Sequence, residues 1–198
     1  MSFFIEISLI FAIGCSFGWA LEVIFRRFWS GNNRSRKWIN PGYLNGPWLP
    51  VYGFGLCILY VLSGLESLLP MSGVSGKLML IVIMTLSVTL VELMAGLISV
   101  HLLKAELWDY SGEWGNYKGL ICPRFALFWG IICAMYLLFV HSTLLLLAKW
   151  LSQHAEFSVF VGIYLGFVLV DALGLNFNRG KSFLSEFNKI RLKMLKNT

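Results

Sequence analysis

Apolar residues in this chain run in long unbroken blocks, unlike the alternating or one-faced patterns of soluble strands and helices. Five blocks are long enough to cross a bilayer: residues 3–25, 51–69, 78–103, 125–148 and 157–177. About 20 residues, at about 1.5 Å of rise each, cover a hydrocarbon core of about 30 Å. The pattern predicts an all-α integral membrane protein, a bundle of five transmembrane helices. The second block is the shortest, and it begins directly from a stretch that breaks the pattern.

That stretch, residues 39–55, reads INPGYLNGPWLPVYGFG and holds three prolines, four glycines and two asparagines. Gly and Pro at this density suit neither helix nor strand interiors. Beside a bilayer such backbone is wet or buried in protein, because lipid offers it no hydrogen-bond partner. A shaped, non-helical element at a membrane surface is a place where a site can be built.

Composition agrees with the pattern. The chain is 58% hydrophobic and only 13% charged, where a soluble domain carries about 25% charged residues. The charges are also segregated. Five Lys and Arg follow the first block, three follow the third and six follow the fifth, whereas only Lys77 and Lys149 lie on the other side. The excess predicts the N-terminus outside and the C-terminus inside, as five spans require. It also accounts for the net charge of +6, so nucleic acid is not an expected partner.

No Lys or Arg precedes the first block, which is too long for a signal-peptide core, so a cleaved signal is not expected. The expected division is a membrane domain over residues 1–178 and a basic tail over 179–198. Phe183, Phe187, Ile190 and Met194 make one helical stripe in that tail, which predicts an amphipathic helix on the inner leaflet. Cys15, Cys57, Cys122 and Cys133 have no CxxC or CxxH spacing and read as small buried residues. His101, His141 and His154 are scattered. Neither a metal nor a cofactor is expected.

Three carboxylates fall inside the blocks: Glu22, Glu92 and Asp171. A charge at the bilayer centre costs about 2.5–3.5 kcal/mol on insertion scales, so such residues face protein or water. Gly14, Gly18 and Glu22 share one helical face, and a Gly-x-x-x-Gly pair is a close-packing signature. Glu22 is therefore expected to point at another helix. Thr85, Thr89, Glu92, Gly96 and Ser99 form a continuous small and polar stripe, which should line a helix interface or a wet cavity. Gly162 and Gly166 offer a second close-packing seam. The carboxylates are expected to converge on the inner half of the membrane, with Arg124 as their forked partner and Glu22–Arg26 as a local pair.

Asn178-Arg179-Gly180-Lys181-Ser182 tempts a phosphate-loop reading, but the required earlier glycine is Leu175 and no strand precedes it. Any ATP-driven work needs another polypeptide.

The segments Gly18-Trp19-Ala20-Leu21-Glu22, Asn40-Pro41-Gly42-Tyr43-Leu44-Asn45-Gly46-Pro47, Pro50-Val51-Tyr52-Gly53-Phe54-Gly55, Glu92, Trp108-Asp109-Tyr110-Ser111 and Arg124 to Trp129-Gly130 resemble a known family. It is the one described as putative ABC-transporter type IV, the CmpB-like bacterial membrane permeases. The resemblance covers residues 11–130. This chain has Asn40-Pro41-Gly42 where the family pattern has Asn-Arg-Gly. The resemblance implies a multi-pass permease-type transporter subunit in a bacterial cytoplasmic membrane, working with a separate ATPase subunit.

Residues and resemblance together give the expected substrate-binding or cavity-lining set: Glu22, Asn40, Asn45, Tyr52, Glu92, Ser99, Asp109, Arg124 and Asp171. Membrane lipids are expected partners. Five short spans leave little room for a complete channel in one copy, so a homo-oligomer is a further expectation. Two alternative readings stay open. One is a membrane-embedded enzyme acting on a lipid or isoprenoid head group, with a glutamate as acid or base and an arginine as phosphate clamp. The other is an assembly or sensor protein whose polar groups only fix helix packing.

Overall fold

The computed structural model describes residues 2–29, 33, 35–66, 73–102, 104 and 106–174. Within them the chain is all-helical, without strands. The helices are α1 (Ser2–Phe28), α2 (Pro50–Gly64), α3 (Gly73–His101), α4 (Pro123–Met135), α5 (His141–Gln153) and α6 (Ser158–Ala172). A π-helical turn, Tyr136–Val140, joins α4 to α5, and a 3-10 turn, Ala155–Phe157, leads into α6.

Four helical stretches are long and apolar enough to cross a membrane: Ser2–Phe28, Gly73–His101, Pro123–Gln153 and Ala155–Ala172. The helix in the second apolar block, Pro50–Gly64, is shorter at 15 residues. Residues 67–69 of that block lie outside the described residues, as do the end of the fifth block and the amphipathic tail. α3 begins earlier than its apolar run, at Gly73, because Ser75, Gly76 and Lys77 extend the helix without being apolar.

α2 and α4 start by the same device. An extended residue, Leu49 or Cys122, is followed by proline at the first helical position. There the missing N–H is no loss and the fixed φ suits the helix. The starts of both helices, and the ends of α1 and α3, lie at one end of the bundle.

The core holds Ile10 from α1, Leu59 and Tyr60 from α2, Leu80 and Met84 from α3, Cys133 and Tyr136, and Leu144 and Ala148 from α5. α1 and α2 are in the tightest contact. A Cβ at Gly14 would come within 2.8 Å of the Gly53 Cα and the Tyr52 carbonyl. The seam expected at Gly162 and Gly166 is not used within the described residues: a Cβ at either position meets nothing within 4 Å. These glycines sit on α6, which is the least buried of the spanning helices.

Candidate functional site

Gly18 faces α2 so closely that a Cβ there would overlap the Cβ and Cγ of Tyr52. The tyrosine side chain therefore lies against α1, and its hydroxyl reaches one turn further to donate to Glu22 Oε2 at 2.8 Å. The other Glu22 oxygen accepts from Arg26 Nε at 2.9 Å. Arg26 also donates through Nη2 to the Leu107 carbonyl at 3.3 Å. This ties α1 to the segment after α3.

Glu92 projects from the polar stripe of α3 and is only 7% exposed. Its Oε1 accepts from the Tyr110 hydroxyl at 3.1 Å and its Oε2 from Trp129 Nε1 at 2.9 Å. The ring centroids of Tyr52 and Trp129 are 6.0 Å apart, and Tyr110 stacks on Phe125 at 4.2 Å. The two glutamates lie near enough to repel one another. Four helices and one loop thus meet in a single network, and each carboxylate oxygen holds one donor. Within it, Arg26 is the cation paired with Glu22, and Glu92 is held by neutral donors. Tyr110 lies in the loop beyond the helices. Burial first, and then the negative Glu92 beside it, push its phenol well above the ordinary range.

The rest of the stripe is interface. A Cβ at Gly96 would press on Leu120, Thr85 stands opposite Gly130, and Ser99 donates to the Gly96 carbonyl of its own helix. Thr89 Oγ1 is buried with no hydrogen-bond partner among the described residues.

Asp171 does not join the glutamates. It sits near the end of α6 and accepts four hydrogen bonds from the Gly/Pro stretch. The donors are the Asn45 amide at 2.8 Å, Asn45 Nδ2 at 2.7 Å, the Gly46 amide at 3.0 Å and Trp48 Nε1 at 2.9 Å. Asn40 organises the same stretch. Its Nδ2 donates to the carbonyls of Leu44 and Asn45, and its Oδ1 accepts from Trp19 Nε1 at 3.0 Å. Asn40, Asn45 and Asp171 therefore hold a non-helical loop in one shape against α1 and α6.

Arg124 does not reach the glutamates either. It pairs with Glu113 at 2.8 Å, and its side chain is 63% exposed. Asp109 accepts from the Ser111 amide at 2.8 Å. It lines a cavity of about 570 Å³ at the end of α3, together with His101, Glu106, Trp108, Asn116 and Lys118. Among the described residues no group of three His, Cys, Asp or Glu is placed to hold a metal ion.

Three members of the glutamate network escape sequence reasoning as site residues: Tyr110, Trp129 and Arg26. All are visible in the sequence, two as motif residues and one as an i, i+4 partner. Only the rotation of α4 against α3 shows that the Trp129 N–H aims at Glu92.

Long apolar helices with buried and half-buried carboxylates at one end define a multi-pass membrane protein. The model of the family described as Putative ABC-transporter type IV matches residues 9–174. The chain belongs to that family, whose members are membrane proteins of ABC-transporter type. No curated protein and no solved structure matches it.

Proposed function

We propose that the chain is a permease-type transporter subunit, and that the Glu22–Glu92 network is the latch of its cytoplasmic side. The observation that carries this reading is the four-oxygen network itself. It joins α1, α2, α3, α4 and the loop after α3 at one end of the bundle. A carboxylate that takes up a proton turns one acceptor oxygen into a donor. Protonation of either glutamate, or arrival of a cationic group, therefore releases one of the bonds that hold the helices together. That is the behaviour of a gate at a polar site between helices.

Arg26, Arg27, Arg36, Lys37, Lys104, Lys118 and Arg124 cluster at the same end in sequence, which favours a cytoplasmic orientation for it. In this reading the second apolar block completes a fifth span, residues 1–178 form the membrane domain, and residues 179–198 lie on the inner leaflet. The ATPase is a separate subunit, lipids surround the bundle, and a second copy covers part of α6. The membrane is the bacterial cytoplasmic membrane.

Proteoliposomes holding the full chain and a partner ATPase test the reading. Solutes spanning small cations, anions, amino acids and amphiphilic dyes are loaded. ATP-dependent or gradient-dependent flux of one of them is expected, and its absence from the whole panel counts against a transporter.

The cavity beside Asp109 favours a second reading, an enzyme acting on a lipid head group, because His101, Glu106, Asp109 and Lys118 line it together. That reading expects Asp109→Asn to change the membrane lipid profile while leaving solute flux intact.

A further inference from the structure

The helix that starts at Pro123 is interrupted at its middle by the π-helical turn Tyr136–Val140. Its sequence, YLLFV, contains neither proline nor glycine, the usual causes of a break. The interruption makes a side-chain pair. Residues five apart on an α-helix are about 140° apart around the axis, at about 3.6 residues per turn. The wider π turn brings positions 136 and 141 to one side, and the Tyr136 hydroxyl meets His141 Nδ1 at 3.0 Å. Such turns recur at functional sites, and ionisable groups inside a membrane are functional by default.

Other polar groups gather on this pair. The Tyr60 ring lies 6.0 Å from the imidazole, and its hydroxyl donates to Glu6 Oε2 at 2.9 Å. Glu66 acts on His141 electrostatically. Ser63 is 5% exposed and stands beside Tyr136, yet its Oγ makes no hydrogen bond of good geometry. α3 contributes Leu80, Met84 and Val88 to the surrounding core, with Ile81 packed against them, and the neighbouring thiols are Cys57 and Cys133. Glu6 and Glu22 stand on the same helix about 24 Å apart, at about 1.5 Å per residue. This cluster is therefore separate from the glutamate latch.

We propose that Glu6, Tyr60, Ser63, Tyr136 and His141 form a proton-binding site, in which His141 takes up the proton and Ser63 receives the hydrogen bond that Tyr136 gives up. With the imidazole neutral and its hydrogen on Nε2, the Nδ1 lone pair accepts from the Tyr136 hydroxyl. A proton from solvent bonds to that lone pair. The new Nδ1–H then donates to the Tyr136 oxygen. The phenol hydrogen stays on Tyr136 and rotates to Ser63 Oγ, the buried acceptor that lacked a partner. One N–H bond forms as one O–H bond of a hydronium ion breaks, and water is left behind. Glu66 through space, and Glu6 through Tyr60, supply negative charge for the imidazolium.

The test is NMR of the full chain in lipid nanodiscs, with histidine nitrogens labelled and His141 assigned by His141→Asn. Spectra are followed from about pH 5 to 8, the range in which histidine titrates. His141 is expected as the Nε2–H tautomer at high pH and doubly protonated at low pH. Ser63→Ala is expected to weaken its proton affinity about fivefold, the worth of one hydrogen bond. If Ser63→Ala does not fold, Tyr136→Phe is read in its place, and loss of the Nε2–H preference is expected. A His141 that keeps one protonation state throughout overturns the proposal. So does a titration that the variant read leaves unchanged.

Discussion

Tyr52 crosses the gap left by Gly18 and donates its hydroxyl hydrogen to Glu22 at 2.8 Å. The glycine is what makes the bond possible. With any side chain at position 18, the tyrosine ring could not lie against α1, and Glu22 would lose the donor that ties it to α2. A packing feature and a polar feature are thus one device: the close approach of two helices sets the geometry of a half-buried carboxylate.

Gly18→Ala puts a methyl group into the space of the Tyr52 Cβ and Cγ. Overpacking of this kind costs about 1–3 kcal/mol. The expected result in nanodiscs is a lower thermal unfolding midpoint than wild type. An unchanged midpoint means that Tyr52 can move aside freely, so its bond to Glu22 does not depend on the glycine.

Asp171→Asn should loosen the Gly/Pro loop. The aspartate accepts from four N–H donors, and an amide has only one oxygen to offer them. Hydrogen bonds to charged groups contribute about 1.5–3 kcal/mol each. Amide exchange at Asn45 and Gly46 is expected to accelerate at least about tenfold. Protection equal to wild type contradicts the anchoring role.

The two arginines give a contrast. Arg124→Gln removes an exposed pair with Glu113, and such pairs contribute about 0–1 kcal/mol. Arg26→Gln removes the cation paired with the half-buried Glu22, together with the bond to Leu107. The unfolding midpoint should fall clearly more for Arg26→Gln. A larger fall for Arg124→Gln would reverse the assignment of roles.

Tyr110 sets an alkaline limit. Burial and Glu92 raise its phenol above the unfolded value of about 10. The folded state therefore binds the proton more tightly than the unfolded state. This contribution is complete below about pH 10 and is lost as pH rises beyond it. Tyr110→Phe should flatten that part of the stability profile, measured as the unfolding midpoint from about pH 9 to 11. An identical alkaline decline in the variant contradicts it.

The membrane class is legible in the sequence because hydrophobic length is a one-dimensional property. Four of the five apolar blocks contain a helix long enough to cross. The polar stripe around Glu92 is also legible, because helical period alone puts Thr85, Thr89, Glu92, Gly96 and Ser99 on one face. The partners of those residues are not legible, because they depend on how helices rotate against each other. Arg124 looks like the forked partner of the glutamates and in the structure binds Glu113, because the loop from 106 to 122 folds back beside it. Asp171 looks like a third member of one acidic pocket and instead binds a loop 126 positions earlier in the chain. His141 looks isolated because its partner Tyr136 is five residues away, a spacing that only a π turn brings together.

In the proposed function, the Glu22–Glu92 network gates transport. The most direct measurement is Glu92→Gln in the proteoliposome flux assay, with the unfolding midpoint taken on the same sample. Gln keeps the shape of the side chain but offers one acceptor oxygen to Tyr110 and Trp129. A folded protein is expected, its midpoint lowered by a few degrees, with flux changed at least about tenfold. Wild-type flux from a folded Glu92→Gln protein would contradict it.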